Sequence, residues 1–288
     1  MCLQALLINK IMKIIDGKKI ADCFREQLKE KIKNFPKKIG LAVVIVGEDP
    51  ASKIYVRNKI KACESVGICS YVYELSETIT QEELENCLVK LANDKAVDGI
   101  LLQLPLPKGF DAESAMSKIP CEKDVDGFSA YDLGNLVLNK SKFVACTPLG
   151  VMKMLEYENV DLTGKHAVVL GRSDTVGKPM ALLLLNSNAT VTVCHSKTKN
   201  LKEICKTADV LVSAIGKANF VTNDMVKDGA IVIDVGMNRD EQGKLCGDVD
   251  FNGVSKKASL ITPVPGGVGP MTITMLLYNT VKAAELSL

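Results

Sequence analysis

The chain has few histidines, no closely paired cysteines and no long apolar run. Its 288 residues include only two histidines, and none of its ten cysteines form a C-x-x-C pair. Structural zinc sites are built from clustered thiolates and imidazoles, so we expect no metal site and reduced thiols in a cytoplasmic protein. No stretch approaches the ~20 apolar residues that span a bilayer. The opening segment also lacks the apolar core and cleavage site of a signal peptide, so we expect a soluble protein with no membrane partner.

The chain also lacks a large excess of charge of either sign. The 36 basic and 34 acidic residues nearly cancel, and no dense basic stripe is interleaved with aromatics. A nucleic-acid partner is therefore not expected. The apolar content of 47% suits a well-buried globule, and the length exceeds the usual size of one domain. Two folded domains are the default expectation.

Buried strand patterns alternate with helical patterns in the first half of the chain. The runs LAVVIVG, YVYEL and VDGILLQLPLP read as strands. Helical spacing predicts three helices. The first covers residues 16–33, the second starts at its candidate cap Ser52 and ends near residue 65, and the third covers the run TQEELENCLVKLAND. Such alternation predicts an α/β domain with a parallel sheet.

A second alternating stretch follows the proline-rich region 105–128. Its predicted strands are AVVLG, TVTVC, VLVSAIG, AIVIDVG and a short LITPV. A last helix is predicted over residues 271–286, with Thr272 as its candidate cap. This half has the pattern of a Rossmann-like, doubly wound parallel sheet.

The run AVVLGRSDTVGKPMALLLL predicts a strand, a glycine turn and a helix. Gly171 and Gly177 allow a sharp turn and a close approach to a ligand, and the amides from Val176 to Met180 are expected to face a phosphate. Ser173 replaces the second glycine of the G-x-G-x-x-G fingerprint, and Gly177 comes one residue late. The run therefore fits either a phosphate site or an ordinary strand-to-helix turn.

The end of the predicted strand TVTVC lacks the acidic residue that an NAD site places against the ribose hydroxyls. His195, Ser196 and Lys197 stand there instead, and Arg172 lies in the glycine turn. These groups suit a 2′-phosphate, which favours NADP over NAD. The alternative is that Arg172 and Lys197 are solvated loop charges.

Tyr55 and Lys59 are four positions apart on a predicted helix and so share a face. A phenol beside an amine suits proton transfer, although a surface lysine near a half-buried tyrosine explains the same spacing. Gln103 ends an apolar strand and needs a hydrogen-bond partner, either Lys59 or backbone. Asp124 and Asp126 follow in a loop, where a carboxylate either binds an amino-pyrimidine edge or caps a turn. Short-chain dehydrogenases share Y-x-x-x-K, but there it follows the glycine turn.

Several motifs occur together in a distinctive order. They are VGEDPASKIYVRNKIKACESVGI, DGILLQLPLP, EKDVDGF, CTPLG, GRSDTVGKP, CHSKT, DVGMN, GDVDF and PVPGGVGPMT. From about residue 13 to 286, the chain closely resembles the bifunctional methylenetetrahydrofolate dehydrogenase/methenyltetrahydrofolate cyclohydrolase family. The resemblance implies oxidation of 5,10-methylenetetrahydrofolate by NADP, followed by hydrolysis of the 5,10-methenyl product to 10-formyltetrahydrofolate.

The resemblance also implies an architecture. Two α/β domains flank a cleft that serves both reactions. Residues 13–148 form the folate-binding catalytic domain, completed by the helix over 271–286, and residues 149–270 form the NADP-binding domain. Members of the family are commonly homodimers through the cofactor domain, and their partners are tetrahydrofolate derivatives.

Site roles carry over to this chain through the matching motifs. Lys59 takes the central proton-transfer role, Gln103 tunes it, and Tyr55 orients the folate. The implied substrate-binding residues are Tyr55, Ser52, Asp126, Gly267 and Pro270. The implied cofactor-binding residues are Gly171, Arg172, Ser173, Gly177, Ser196, Ile215 and Gly236. The remaining alternatives are the same fold with one activity only, and a dinucleotide-binding protein without catalysis.

Overall fold

The computed structural model describes residues 12–288, so the opening segment discussed above lies outside the described residues. The chain divides into two compact units. One comprises Lys18–Lys153 and Pro270–Leu288, and we call it the small-sheet unit. The other, the large-sheet unit, comprises residues 12–17 and 154–269 of the described chain. No helix within residues 12–288 is long and apolar enough to cross a membrane.

Strands and helices alternate along most of the described chain. The strands are β1 (Lys13–Ile14), β2 (Gly40–Val46), β3 (Cys69–Leu75), β4 (Gly99–Leu102), β5 (His166–Leu170), β6 (Thr190–Cys194), β7 (Val210–Ser213), β8 (Ile231–Asp234), β9 (Asn238–Arg239), β10 (Leu245–Cys246) and β11 (Leu260–Ile261). The helices are α1 (Gly17–Lys33), α2 (Pro50–Val66), α3 (Gln81–Asn93), α4 (Ala112–Met116), α5 (Ala130–Val137), α6 (Cys146–Tyr157), α7 (Gly177–Asn186), α8 (Leu201–Cys205), α9 (Phe251–Val254) and α10 (Val268–Leu286). A 3-10 turn covers Asn223–Met225.

The small-sheet unit contains a parallel sheet in the order β3-β2-β4. Every residue of β2 and β4 is buried. Such continuous apolar strands are typical of parallel sheets covered on both faces. A core cluster that includes Val44, Leu84, Leu88 and Ile100 joins this sheet to α3. The α/β prediction for this half is confirmed.

The large-sheet unit contains six described strands in the order β1-β11-β8-β7-β5-β6, and all neighbouring pairs are parallel. From β5 the chain first passes to β6 on one side and then to β7 on the other. The strand order therefore reverses at β5 and β7, as predicted for a doubly wound sheet. Ligands of open α/β sheets bind beyond the carboxyl ends of the strands at such a switch point.

The start of α2 corrects one sequence expectation. Asp49 caps this helix, because its Oδ2 accepts the backbone N–H of Ser52 at 2.7 Å. The helix begins at Pro50, where the missing N–H costs little, so Ser52 lies within the first turn. Ser52 is buried there and is not the cap.

The start of α10 corrects a second sequence expectation. The helix begins at Val268, three residues before the predicted start, so Thr272 is an interior residue and not its cap. Pro270 fits the first helical turn because that position needs no intrahelical N–H. The Thr272 hydroxyl lies 2.9 Å from the hydroxyl of Thr147. The predicted strand LITPV is also shorter, since only Leu260 and Ile261 pair with a neighbour.

Candidate functional site

Lys59 and Gln103 meet in the small-sheet unit. Lys59 projects from α2, and Gln103 directly follows β4. The Lys59 ammonium nitrogen lies 3.1 Å from Gln103 Oε1, a hydrogen bond in which the lysine donates. Gln103 Nε2 donates to the carbonyl of Leu104 at 2.6 Å, so the orientation of the amide is defined. The predicted contact between the two side chains is confirmed.

Asp126 lies near this pair. Burial raises the pKa of the Asp126 carboxyl, the positive charge of Lys59 lowers it, and the negative charge of Asp124 raises it. Asp126 is half-buried and also borders a small pocket whose apolar wall includes Ile100 and Leu102. That pocket has room for about one water molecule, so no fused ring fits inside it.

Asp124 holds the loop that carries Asp126. Its carboxylate oxygens accept the backbone N–H groups of Gly127 at 3.1 Å and Ser129 at 2.7 Å. Gly127 has φ +72°, and a Cβ built on it would lie 2.6 Å from the carbonyl carbon of Val144. The turn-capping alternative therefore applies to Asp124, whereas Asp126 is left for other contacts.

Two residues near Asp126 escaped the sequence reasoning. The Cys146 thiol lies within hydrogen-bonding reach of the Asp126 carboxylate and donates to the carbonyl of Val125 at 3.4 Å. Asn279, fully buried in α10, donates to the carbonyls of Val125 at 2.9 Å and Val144 at 3.1 Å. A single asparagine in the apolar run MTITMLLYNTV was the available signal, because a buried amide needs polar partners.

Tyr55 and Ser52 complete the predicted group on α2. Tyr55 precedes Lys59 by four residues on the same helix, and 37% of the residue is exposed. An exposed aromatic ring on the same face as Lys59 suits stacking against a flat ligand. Ser52 is 6% exposed, so its side chain is not open to solvent. Its backbone N–H donates to Asp49 at the start of the helix.

The glycine turn lies at the switch point of the large sheet. Gly171 follows β5 with φ +114°, and a Cβ built on it would lie 2.3 Å from the carbonyl oxygen of Ala214 after β7. A Cβ on Gly177 would lie 2.4 Å from the carbonyl oxygen of Gly171. Both positions therefore require glycine, and they bring the ends of β5 and β7 into direct backbone contact.

The amides at the start of α7 donate to acceptors within the protein. Ser173 Oγ accepts the N–H groups of Val176 at 3.2 Å and Gly177 at 3.3 Å, while the Ser173 carbonyl accepts that of Lys178 at 3.0 Å. Pro179 has no N–H, and Met180 donates to the carbonyl of Val176. Ser173 accepts the hydrogen bonds of these amides in this structure, so their approach to a phosphate stays a prediction. Since its Oγ accepts both bonds, the Ser173 hydroxyl proton is left for an anion.

Exposed polar groups surround the turn. Arg172 is exposed and has no ion-pair or hydrogen-bond partner among residues 12–288. Ser196 and Lys197 are exposed after β6, where the Lys197 amide donates to His195 Nδ1 at 3.2 Å. No carboxylate follows β6 in the segment from His195 to Asn200. The donor set is thus suited to an additional phosphate rather than to ribose hydroxyls alone.

Ile215 and Gly236 follow β7 and β8, beside the glycine turn in the sheet order. The Ile215 amide donates to Asp248 Oδ2 at 2.8 Å, and the Gly236 amide donates to Asp234 Oδ1 at 3.0 Å. Both acceptors are buried carboxylates. The backbone amides of these predicted cofactor residues are therefore held by hydrogen bonds to buried carboxylates.

Comparison with known families assigns both halves of the chain. The catalytic-domain model of tetrahydrofolate dehydrogenase/cyclohydrolase matches residues 15–126, and the NAD(P)-binding-domain model of the same family matches residues 145–288. The chain belongs to this family. The resemblance drawn from the sequence motifs is confirmed.

Relatives in the tetrahydrofolate dehydrogenase/cyclohydrolase family are similar over nearly the whole chain. Bifunctional protein FolD of Agathobacter rectalis is 55% identical over 276 residues, which cover 94% of this chain and 99% of that protein. The crystal structure of the bifunctional FolD of Campylobacter jejuni is 52% identical, with a TM-score of 0.94 and coverage of 96% and 100%. The Trypanosoma brucei FolD, solved in complex with NADP and an inhibitor, is 39% identical, with a TM-score of 0.91 and coverage of 96% and 98%.

Two further predicted residues of this family member lie in the loop before and at the start of α10. Gly267 is buried in the large-sheet unit, and a Cβ built on it would lie 2.4 Å from the carbonyl oxygen of Pro263. Pro270 belongs to the small-sheet unit, and its carbonyl accepts Thr274 Oγ1 at 3.0 Å and Arg25 Nη2 at 3.4 Å. These contacts explain the local backbone and leave a substrate role as a prediction. Within residues 12–288, no group of three or more His, Cys, Asp or Glu is arranged to hold a metal ion.

Proposed function

We propose that this protein oxidises 5,10-methylenetetrahydrofolate with NADP and then hydrolyses the 5,10-methenyl product to 10-formyltetrahydrofolate. The observation that carries the proposal is the hydrogen bond between Lys59 and Gln103 beside Asp126, in a chain of the tetrahydrofolate dehydrogenase/cyclohydrolase family. A dehydrogenase alone would not need a proton-transfer group at this place, because hydride transfer requires neither a protein acid nor a protein base. Lys59 therefore favours the bifunctional reading over a single oxidation.

Lys59 serves the hydrolysis. The oxygen of water attacks the cationic methenyl carbon, and a proton from that water passes to the neutral amine of Lys59. The carbon–N5 bond then breaks as N5 gains a proton, and the hydroxyl on this carbon loses its proton to become the formyl oxygen. The formyl group stays on N10, and one proton is released overall. Gln103 Oε1 accepts one N–H of Lys59, so the amine is oriented before water attacks.

Asp126 holds the pterin ring. Its carboxylate accepts paired hydrogen bonds from the amino-pyrimidine edge, which offers two N–H donors on one side. Without bound folate, the positive charge of Lys59 favours the ionised form of this half-buried carboxyl. Lys59 acts as a neutral amine only when the cationic methenyl group lies beside it. Tyr55 stacks against the folate and thereby fixes the distance between the reactive carbon and Lys59.

The large-sheet unit binds NADP, which when bound accepts a hydride from the methylene carbon. Arg172 and Ser196 contact the 2′-phosphate, and the hydroxyl of Ser173 donates to the pyrophosphate. Gly171 and Gly177 permit close backbone approach, and Ile215 and Gly236 complete the wall of the site. The NADP complex of the Trypanosoma brucei relative supports this choice of cofactor.

The protein works in the cytoplasm as a homodimer. The nine cysteines among residues 12–288 are all unpaired, which is the usual state in a reducing compartment. Among residues 12–288, one edge of the large sheet is β6, where Val193 is 39% exposed, and Leu185 of the preceding helix α7 is 56% exposed. An unpaired strand edge beside apolar side chains suits pairing with a second copy. Sedimentation of the purified protein at assay concentration checks the dimer, and a monomer there contradicts it.

The test of the proposed function follows methenyltetrahydrofolate by its absorbance. With methylenetetrahydrofolate and NADP, the absorbance rises as the methenyl species forms and then falls as hydrolysis consumes it. With added methenyltetrahydrofolate and no NADP, the signal decays faster than in buffer. A protein that neither forms nor consumes the methenyl species is not this enzyme. Formation without accelerated decay, or decay without formation, leaves only one of the two activities.

A further inference from the structure

The Asp248 side chain accepts hydrogen bonds from four neutral donors among residues 12–288. The residue is fully buried, and each carboxylate oxygen accepts two hydrogen bonds. Oδ2 accepts Ser213 Oγ at 3.1 Å and the Ile215 amide at 2.8 Å. Oδ1 accepts the Lys217 amide at 2.9 Å and Asn238 Nδ2 at 2.9 Å. All four acceptor positions of the carboxylate are used, and no neutral side chain of this size accepts as many.

Three of these donors lie at or after the end of β7, and the fourth, Asn238, begins β9 after the loop that follows β8. Ser213 ends β7, and the segment up to Lys217 forms the loop against which Gly171 packs at the switch point. Gly236 lies in the loop after β8, and a Cβ built on it would lie 2.2 Å from Asp248 Oδ1. One buried side chain therefore supports the backbone on both of these strand ends.

Asp234 fixes the position of Asp248 in turn. Its Oδ1 accepts the Asp248 amide at 2.9 Å and its Oδ2 accepts the Val249 amide at 2.9 Å. A Cβ built on Gly247 would lie 1.8 Å from Asp234 Oδ2, so the backbone is packed directly on the carboxylate. We call Asp234 and Asp248 the carboxylate pair, in which the Asp234 side chain holds the backbone of Asp248.

We propose that Asp248 is a positioning residue that sets the shape of the NADP-binding loops after β7 and β8. The proposal rests on the proposed function, because it takes these loops as the wall of the NADP site. The Asp248 carboxylate is directed into its four donors. An asparagine in its place presents an NH₂ group to two donors that need an acceptor, so the loop amides lose partners and move. Shifts of about 1 Å in such supporting groups are sufficient to weaken a site.

The experiment uses the full chain with Asp248→Asn and a matched control, Asp250→Asn. Asp250 lies two residues away and caps α9 through one bond to the Gly253 amide at 3.2 Å, a role that asparagine fills equally well. The expected result for Asp248→Asn is a rise of at least tenfold in both the Kd of NADPH, measured by fluorescence, and the KM of NADP. Hydrolysis of methenyltetrahydrofolate without NADP should stay within about twofold, and Asp250→Asn should match the wild type.

An unchanged Kd for NADPH overturns the proposal, and so does an equal loss of both binding and NADP-free hydrolysis, because that marks general damage. Ser213→Ala is the second variant. It keeps the charge and removes one donor, so it should raise the Kd of NADPH about two- to fivefold even if Asp248→Asn fails to fold, and no rise overturns the proposal. A wild-type protein that binds NADPH without turning over folate would count against the proposed function and leave this test intact.

Discussion

Asp126 in the small-sheet unit and the carboxylate pair in the large-sheet unit have opposite surroundings. In the small-sheet unit, Asp126 is half-buried beside Lys59, and burial and the lysine charge act against each other on its pKa. In the large-sheet unit, the carboxylate pair is fully enclosed, and its oxygens accept backbone and side-chain N–H and O–H groups. The proposed partner of Asp126 is a ligand, whereas the carboxylate pair accepts hydrogen bonds from its own unit, as Asp124 does in the small-sheet unit.

This difference predicts which substitutions affect the reaction and which affect the stability of the fold. A charged group that faces a ligand contributes little to folding, because its best partner arrives with the substrate. A buried carboxylate that accepts several hydrogen bonds is part of the fold, because an unpaired buried donor costs about 1–3 kcal/mol. Substitutions in the small-sheet site should therefore affect the reaction, and substitutions at the carboxylate pair should affect the shape and stability of the unit.

The largest expected effect is at Lys59. Lys59→Met keeps the aliphatic length and removes the amine, so NADP-independent hydrolysis should fall by roughly 10²–10⁴-fold, the usual contribution of a proton-transfer group. NADPH binding should be retained, and the free energy of unfolding should change by less than about 1 kcal/mol. Stopped-flow decay of methenyltetrahydrofolate measures the rate. The control is Lys61→Met at an exposed position of the same helix, and undiminished hydrolysis by Lys59→Met removes Lys59 from its role.

The next effect is a pH dependence at Asp234. Burial raises the pKa of the Asp234 carboxyl from 3.8 to about 6, against the hydrogen bonds from the Asp248 and Val249 amides. Because the folded protein holds this proton more tightly, the contribution to stability is complete below pH 4 and is lost as the pH rises through about 6. The loss is about 3 kcal/mol in total. Denaturant unfolding of the wild type and Asp234→Asn from pH 4 to 8 measures it.

Other carboxyl groups titrate in the same range, so the informative quantity is the difference between the two proteins. That difference should become less favourable to the wild type as the pH rises, by about the amount given above. Asp250→Asn should leave the pH profile of the wild type unchanged. Parallel profiles for the wild type and Asp234→Asn would show that this carboxyl does not carry a raised pKa.

The smallest expected effect is at Arg172, which is exposed and unpaired among residues 12–288. Arg172→Ala should raise the KM of NADP about tenfold, equivalent to about 1.4 kcal/mol, because one charged contact to the 2′-phosphate is lost. The KM of NAD should change less than twofold. Lys178→Ala is the control, since its ammonium already pairs with Asp174 on the same surface. Equal losses with both cofactors contradict the assignment to the 2′-phosphate.

Local patterns were sufficient for the fold and for one key contact. The apolar runs that became β2, β4, β5, β7 and β8 were visible as strands, because continuous burial leaves a continuous apolar sequence. The contact between Lys59 and Gln103 was foreseen as one of two options, because a polar side chain at the end of an apolar strand needs a partner.

The errors and omissions arose where several local signals compete or where the contact is distant. Asp49 and Ser52 are both good helix caps, and only the observed start of α2 decides between them. The α10 start was missed because PVPGGVGP has the composition of a loop. The hydrogen bonds of Asp248 reach residues as far away in sequence as Ser213, 35 positions earlier. These contacts therefore depend on the strand order. No local pattern predicts such a contact.

Asn279 has a consequence for the order in which this chain matures. The loop of Asp126 and the segment of Cys146 are synthesised long before α10, yet the amide of Asn279 binds the carbonyls of Val125 and Val144 and so ties the two together. While a ribosome is still completing the large-sheet unit, those carbonyls lack this partner. Most of the small-sheet unit is thus translated before most of the large-sheet unit, yet its packing is completed after it.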